Sequence, residues 1–213
     1  MGSLIMKPLI QYTSRDGHGD RWIYEEIVNN IYRVTGKERS IVDLGAHVGL
    51  FSVYARERCP SASIVAFECD RENFSFLQSN IKGLNIDARN FAISDHDGCE
   101  QFQCAKDRHQ NSGNGRLVHA SKAAAQDWNG CEIVQTFDAA YLPSCDLLKI
   151  DIEGSEVRVL KRMMQAKNRP ERIAGEWHGQ DTDSVLLALL STYTVQTETF
   201  CKDVIGAFWA TLK

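Results

Sequence analysis

The apolar positions along the chain switch repeatedly between helical and strand periods. From Asp20 to about Thr35, the residues Trp22, Ile23, Ile27, Ile31 and Tyr32 fall at helical spacing, with Gly36 just beyond. Ser40–Leu44 is a short apolar run around one acid, Asp43, and predicts a buried strand. A helix over Val48–Arg58 follows, closed by Cys59-Pro60, and then a second apolar strand over Ala62–Phe67. Asp70 is placed to cap a helix bearing Phe74, Leu77 and Ile81, with Gly83 suited to its far end. A third strand is predicted near Ile86–Phe91. Beyond a polar, aperiodic stretch from Gln101 to Gly130, a strand over Cys145–Ile150, a helix over Ser155–Met164 and a strand over Arg172–Trp177 resume the alternation. A helix near Val185–Leu190 and two strands, near Tyr193–Glu198 and Val204–Leu212, complete it.

Alternating strand and helix predicts an α/β, doubly wound fold: a largely parallel sheet with helices on both faces. The 213 residues suit one domain, 1–213. Within it, 1–36 is an N-terminal helical segment and 101–130 an excursion suited to holding substrate. A net charge of −4 and a pI near 5.9 argue against binding duplex nucleic acid through a basic field. No apolar run approaches the roughly 18 residues of a membrane span. The seven cysteines are odd in number and none forms a C-x-x-C pair, which favours reduced thiols and a cytoplasmic location.

In open parallel sheets, ligands gather at the carboxyl ends of the strands, so the chemistry is sought there. After the first strand comes Asp43-Leu44-Gly45-Ala46-His47-Val48-Gly49, a glycine turn leading into a helix whose free N–H groups suit an anion. Its spacing is neither the G-x-G-x-x-G of a dinucleotide site nor a P-loop. Glu68 ends the second strand nineteen residues past Gly49, where a carboxylate can accept both hydrogen bonds of a ribose diol. Cys69 follows it. Phe91, Ala92 and Ile93 lie past the third strand, positioned for an adenine. Lys149-Ile150-Asp151-Ile152-Glu153-Gly154-Ser155-Glu156 gathers three carboxylates at a strand end and helix start. Asp151 is assigned to the cleft and Glu156 to the helix dipole. His178 closes the fifth strand, where an imidazole can take a proton.

These segments resemble a known family. Val42–Gly49 resembles the S-adenosylmethionine motif of class I methyltransferases. Phe67-Glu68-Cys69-Asp70, with Asn73, Phe74 and Leu77, resembles its second motif. Asp146–Glu156, followed by Val159-Leu160, is similar to the signature of the FkbM-family methyltransferases. Gly19–Ile23, Ala92–Asp95 and Glu176-Trp177-His178 fit as well. The family commonly has asparagine in place of His47 and proline in place of Cys69. The resemblance implies a Rossmann-like, seven-stranded, mostly parallel sheet with a reversed last strand. It also implies S-adenosyl-L-methionine as cofactor, held by Asp43, Gly45, Ala46, His47, Gly49, Glu68, Cys69, Ala92, Ile93 and Asp151.

The expected activity is O-methylation of a small-molecule or sugar hydroxyl, such as a glycan, glycolipid or polyketide-like metabolite. His178 or Asp151 is the expected base, motivated by their shared strand-end edge. Two other readings stand beside it: a module that binds the cofactor without turnover, and a nucleotide-dependent oxidoreductase. Convergence of Asp151, Glu176 and His178 would offer ligands to a cation, but their spacing is no metal motif and no metal is expected. Trp22, Trp128 and Trp177 are either core or a surface for sugar rings.

Overall fold

The computed structural model describes residues 19–104, 115–118, 131–178, 188–201 and 205–213. Helix α1 (Gly19–Val28) precedes strand β1 (Ser40–Leu44), helix α2 (Leu50–Arg58), strand β2 (Ser63–Phe67), helix α3 (Arg71–Asn80) and strand β3 (Asp87–Arg89). Four strands then lie close in sequence: β4 (Ala92–Ser94), β5 (Gly98–Gln103), β6 (Arg116–Leu117) and β7 (Cys131–Asp138). Strand β8 (Leu147–Ile150), helix α4 (Glu156–Gln165) and strands β9 (Arg172–His178), β10 (Tyr193–Cys201) and β11 (Ile205–Leu212) follow.

The main sheet has seven strands in the order β10-β11-β9-β8-β1-β2-β3. The five strands from β9 to β3 are parallel, while β11 runs antiparallel to both β9 and β10. The last strand is therefore reversed, as expected. Alternation of side chains across the central strands explains its burial on both faces. Ile41 and Leu147 point into one apolar core with Val53, Tyr54 and Leu77. Val42, Leu44, Leu148 and Ile150 point into the other with Val159, Leu160 and Met163. On α4 the buried positions Glu156, Val159, Leu160 and Met163 recur at helical spacing, so one stripe faces the sheet. Asp70 caps α3 by accepting from the backbone N–H groups of Glu72 and Asn73.

Three differences from the sequence reading bear on the site. The first helix stops at Val28, well short of Thr35. Asn30 and Arg33 are left-handed, and the Asn30 side chain bonds both the N–H and the carbonyl of Val34 in place of helical partners. That turn takes Tyr32 off the helix and buries it beneath the strand ends. The third strand is reduced to Asp87–Arg89, because the Asn90 amide instead holds the carbonyls of Glu68 and Cys69. Third, β4, β5, β6 and β7 form a second sheet in the order β4-β7-β5-β6, which the polar composition of this region did not predict. Val134, Thr136 and Asp138 are its buried positions on β7, so two of three inward residues are polar and the apolar alternation is broken. Arg158 and Arg162 on α4 grip this sheet through Glu100 and Asp138.

The predicted helix near Val185 lies mostly outside the described residues, as do residues 105–114 and 119–130 of the excursion and Trp128. Trp177 is core and lines no surface: it is 2 % exposed. Among the described residues, Cys59, Cys69, Cys99 and Cys145 are free thiols. No helix among them is long and apolar enough to cross a membrane.

Candidate active site

The carboxyl ends of β1, β2, β8 and β9 border a cavity of about 530 Å³, within the usual size of small-molecule sites. Its floor begins at β1. Gly45 and Ala46 both donate their N–H groups to the carbonyl of Phe67, at 3.0 and 2.9 Å, folding the turn across the end of β2. Gly45 is left-handed at φ 76°, and a Cβ there would lie 1.8 Å from the carbonyl oxygen of Asp151. Only glycine allows these two turns to touch. Gly49, at φ 91°, ends the turn against Leu77 of α3.

Glu68 follows β2 and is buried. Its two carboxylate oxygens accept from the backbone N–H groups of His47 and Asp70, each at 2.8 Å. Burial pushes its carboxyl up to about 7, against the pull of those two hydrogen bonds. A carboxylate offers about four lone-pair sites, so both oxygens keep capacity for a further donor. Cys69 lines the cavity next to it, its thiol pushed well up by burial and by the carboxylates of Glu68 and Asp70. Phe91, Ala92 and Ile93 line the wall where the two sheets meet.

Asp43 and Lys149 face each other across the β1–β8 register, on the side of the sheet covered by α1 and α2. The Lys149 ammonium lies 3.4 Å from Asp43 and donates to the carbonyls of Gly45 at 2.6 Å and Leu44 at 3.2 Å. Burial alone would lower Lys149, but Asp43 and Asp151 outweigh it and hold the ammonium above its ordinary range. Burial pushes the Asp43 carboxyl up, with Lys149 opposing. The same ammonium is 3.8 Å from Asp151 Oδ2, which also accepts from the Tyr32 hydroxyl at 3.2 Å. Tyr32 reaches Glu176 as well, at 3.3 Å. Burial first, then Asp151 and Glu26, raises the Glu176 carboxyl.

His178, the last residue of β9, packs its Nδ1 3.2 Å from Glu156 Oε1. Its Nε2 is 3.6 Å from Glu153 and 3.9 Å from Asp151. Burial would lower the imidazole, but the Glu156 hydrogen bond and the carboxylates of Glu153 and Asp151 push it up to about 10. Glu156 itself binds the N–H groups of Ile152 and Gly154, shaping the turn into α4.

Of the site residues singled out from the sequence, Gly45, Ala46, His47, Glu68, Cys69, Ala92, Ile93, Asp151 and His178 line the cavity. Asp43 and Gly49 stand behind it as supports. Tyr32, Glu26 and Lys149 were not assigned roles from the sequence. Tyr32 reads there as one more apolar position of a helix, whereas Lys149 in an otherwise apolar strand was a usable signal, because a buried lysine needs a buried acid.

Residues 43–193 match the family model of the methyltransferase FkbM domain. The chain belongs to the FkbM methyltransferase family. Among curated relatives, methyltransferase sdnD of Sordaria araneosa is 28% identical over 184 residues, covering 66% of this chain and 68% of that protein. Methyltransferase 1 of Beauveria bassiana (strain ARSEF 2860) is 25% identical over 151 residues, and the match spans 57% of each chain. Among solved structures, precorrin-6y C5,15-methyltransferase from Geobacter metallireducens GS-15 aligns with a TM-score of 0.58 at 13% identity, covering 98% of this chain and 100% of that one. Ribosomal protein L11 methylase from Lactobacillus delbrueckii subsp. bulgaricus aligns at 0.52 and 13% identity, over 91% and 80% of the two chains. These structural likenesses show a shared fold. His47, where the resemblance leads to an expectation of asparagine, is left-handed at φ 53°. Asparagine and histidine are both enriched in that conformation, so the exchange keeps the turn.

Proposed function

We propose that this FkbM-family chain is an S-adenosylmethionine-dependent O-methyltransferase acting on a hydroxyl of a sugar or other small molecule. The observation that carries the reading is Glu68: a buried carboxylate, anchored by two backbone N–H groups, beside the glycine turn and on the cavity wall. That donor set fits a ribose diol, whose two hydroxyls need an acceptor held in place. Phe91, Ala92 and Ile93 supply the flat apolar wall an adenine needs.

The acceptor end is separate. From β2 to β9 the sheet advances through β1 and β8, three strand spacings or about 14 Å. There Asp151, Glu153, Glu176 and His178 line the cavity, a set rich in groups that accept a hydroxyl hydrogen. S-adenosylmethionine, when bound, supplies an electrophilic methyl group. The chain's part is to align the acceptor oxygen, worth about 7–11 kcal/mol when alignment is good, and to take its proton. Asp151 accepts that proton directly. His178, protonated in its carboxylate setting, does so only after passing its own proton to Asp151 or Glu153.

Calorimetric titration with S-adenosylhomocysteine tests the cofactor assignment. Binding in the micromolar range is expected, weakened at least about tenfold in Glu68→Ala, since a hydrogen bond to a charged group contributes roughly 1.5–3 kcal/mol. A folded wild-type protein that binds none would overturn it. Full turnover of a hydroxyl acceptor by both His178→Ala and Asp151→Asn would overturn the base assignment.

A further inference from the structure

We propose that Asp151, Glu153 and His178 together form a binding site for one divalent cation of the Mn2+ class. Their ligating atoms, one from each side chain, all lie within 4.8 Å of one another. They come from the end of β8, the turn before α4 and the end of β9, so no sequence spacing announces them. This revises the expectation that no metal is used.

The orientation of each ligand is fixed from behind. Glu156 Oε1 already accepts backbone N–H groups from Ile152 and Gly154, and a carboxylate has no hydrogen to give. The neighbouring His178 Nδ1, at 3.2 Å, therefore carries the hydrogen and donates. That leaves Nε2 as the atom facing Asp151 and Glu153, and a cation bound there takes the place of its proton, which passes to solvent. A carboxylate behind a ligating histidine is the usual outer-shell partner of metal sites, where it fixes ring orientation. Asp151 is divided in the same way. Its Oδ2 is held by the Tyr32 hydroxyl and Lys149, and its Oδ1 is turned towards His178.

At 3.6 and 3.9 Å from His178 Nε2, the two carboxylates are too far away for hydrogen bonds. The three atoms surround a gap. Cation–ligand bonds of about 2.1 Å at right angles would set neighbouring ligands about 3 Å apart, within reach of small side-chain rotations. All three side chains line the cavity, so its open side supplies water or acceptor oxygens to complete the shell. Two carboxylates and one imidazole suit Mn2+ better than softer thiolate-seeking ions. A second group, Asp95, His96 and Glu100, has similar composition. There the Arg158 guanidinium already lies 3.1 Å from Glu100 and 3.6 Å from Asp95, and occupies the cation's place. Where the cation binds, Asp151 and His178 act as its ligands and no longer as bases.

The test reads binding itself and needs no turnover. Chelator-stripped protein is titrated with Mn2+, and the free ion is followed by its electron paramagnetic resonance signal. One Mn2+ per chain is expected, with affinity falling at least about tenfold in Glu153→Gln and in His178→Gln, and unchanged in Glu100→Gln. S-adenosylhomocysteine titration of each variant reports whether the site is still folded. An undiminished free-ion signal with wild-type protein overturns the proposal. So does binding that both Glu153→Gln and His178→Gln leave intact. Mn2+ binding with the expected variant pattern, but no S-adenosylhomocysteine binding, would uphold the cation site and overturn the methyl-transfer reading alone.

Discussion

Lys149→Met keeps most of the side-chain length and removes the buried ammonium. Asp43, 0 % exposed, is then left with the Ser52 hydroxyl at 2.7 Å as its hydrogen-bond partner among the described residues. The carbonyls of Gly45 and Leu44 lose a donor at the same time. Removing one member of a buried ion pair typically costs about 3–5 kcal/mol. For a domain of this size each kcal/mol moves the midpoint by about 2–4 °C, so a fall of about 6–20 °C in Tm is expected.

The double variant Asp43→Asn/Lys149→Met removes the stranded charge as well. It should be more stable than Lys149→Met by at least about 1 kcal/mol, although it carries one more substitution. The pH dependence has a definite sign. Burial already raises the Asp43 carboxyl in the folded chain, and loss of Lys149 raises it further. The unfolded chain has the ordinary value near 3.9. The folded variant therefore binds the proton more tightly than the unfolded one, and its deficit against wild type shrinks as pH falls from 8 to 5. Urea unfolding of wild type, both single variants and the double at those two pH values gives the full cycle. Additive single effects at pH 8, with no coupling between the two positions, would refute the argument that charge pairing is what Lys149 supplies.

Three other outcomes follow from contacts at the same edge. Gly45→Ala should lose S-adenosylhomocysteine binding and more than about 2 kcal/mol of stability, because its Cβ meets backbone at Asp151; Gly154→Ala, at φ 99° with open space around it, should cost only the roughly 1–2 kcal/mol of a left-handed residue. S-adenosylhomocysteine affinity should fall as pH is lowered from 8 to 6, as Glu68 gains a proton around pH 7 and loses acceptor capacity, and the slope should vanish in Glu68→Gln on calorimetry. Asp70→Ala should cost about 1 kcal/mol in urea unfolding through loss of the α3 cap.

The parts of the molecule that could be read from sequence are those in which local pattern and tertiary burial agree. β1, β2 and β9 are buried on both faces, and their apolar runs mark them within a residue or two. The α3 cap is visible because Asp70 acts on the N–H groups two and three residues ahead. Tyr32 is the opposite case. Its spacing fits a helix, but Asn30 and Arg33 adopt left-handed backbone that periodicity does not register. β7 was hidden because its inward positions include Thr136 and Asp138, polar residues that break the apolar alternation; Asp138 is satisfied from outside the strand, by the Ala140 N–H and Arg162. In the site, the glycine turn and Glu68 are read from near neighbours in sequence. The meeting of Glu153 with His178 depends on the order of β8 and β9 in the sheet, which no local pattern encodes.

The small sheet gives the molecule a division of labour. Its pairings, β4 with β7, β7 with β5 and β5 with β6, are all internal to residues 92–138, and none enters the register of the seven-stranded sheet. Yet Phe102 and Leu117 from this sheet form part of the cavity wall. One side of the pocket can thus be rebuilt by mutation or insertion while the strands carrying Asp43, Glu68, Asp151 and His178 keep their alignment. Ile93 and Phe137 anchor the inner strands of this sheet in the main core, so such change falls most freely on its outer part, where β5 and β6 carry Phe102 and Leu117.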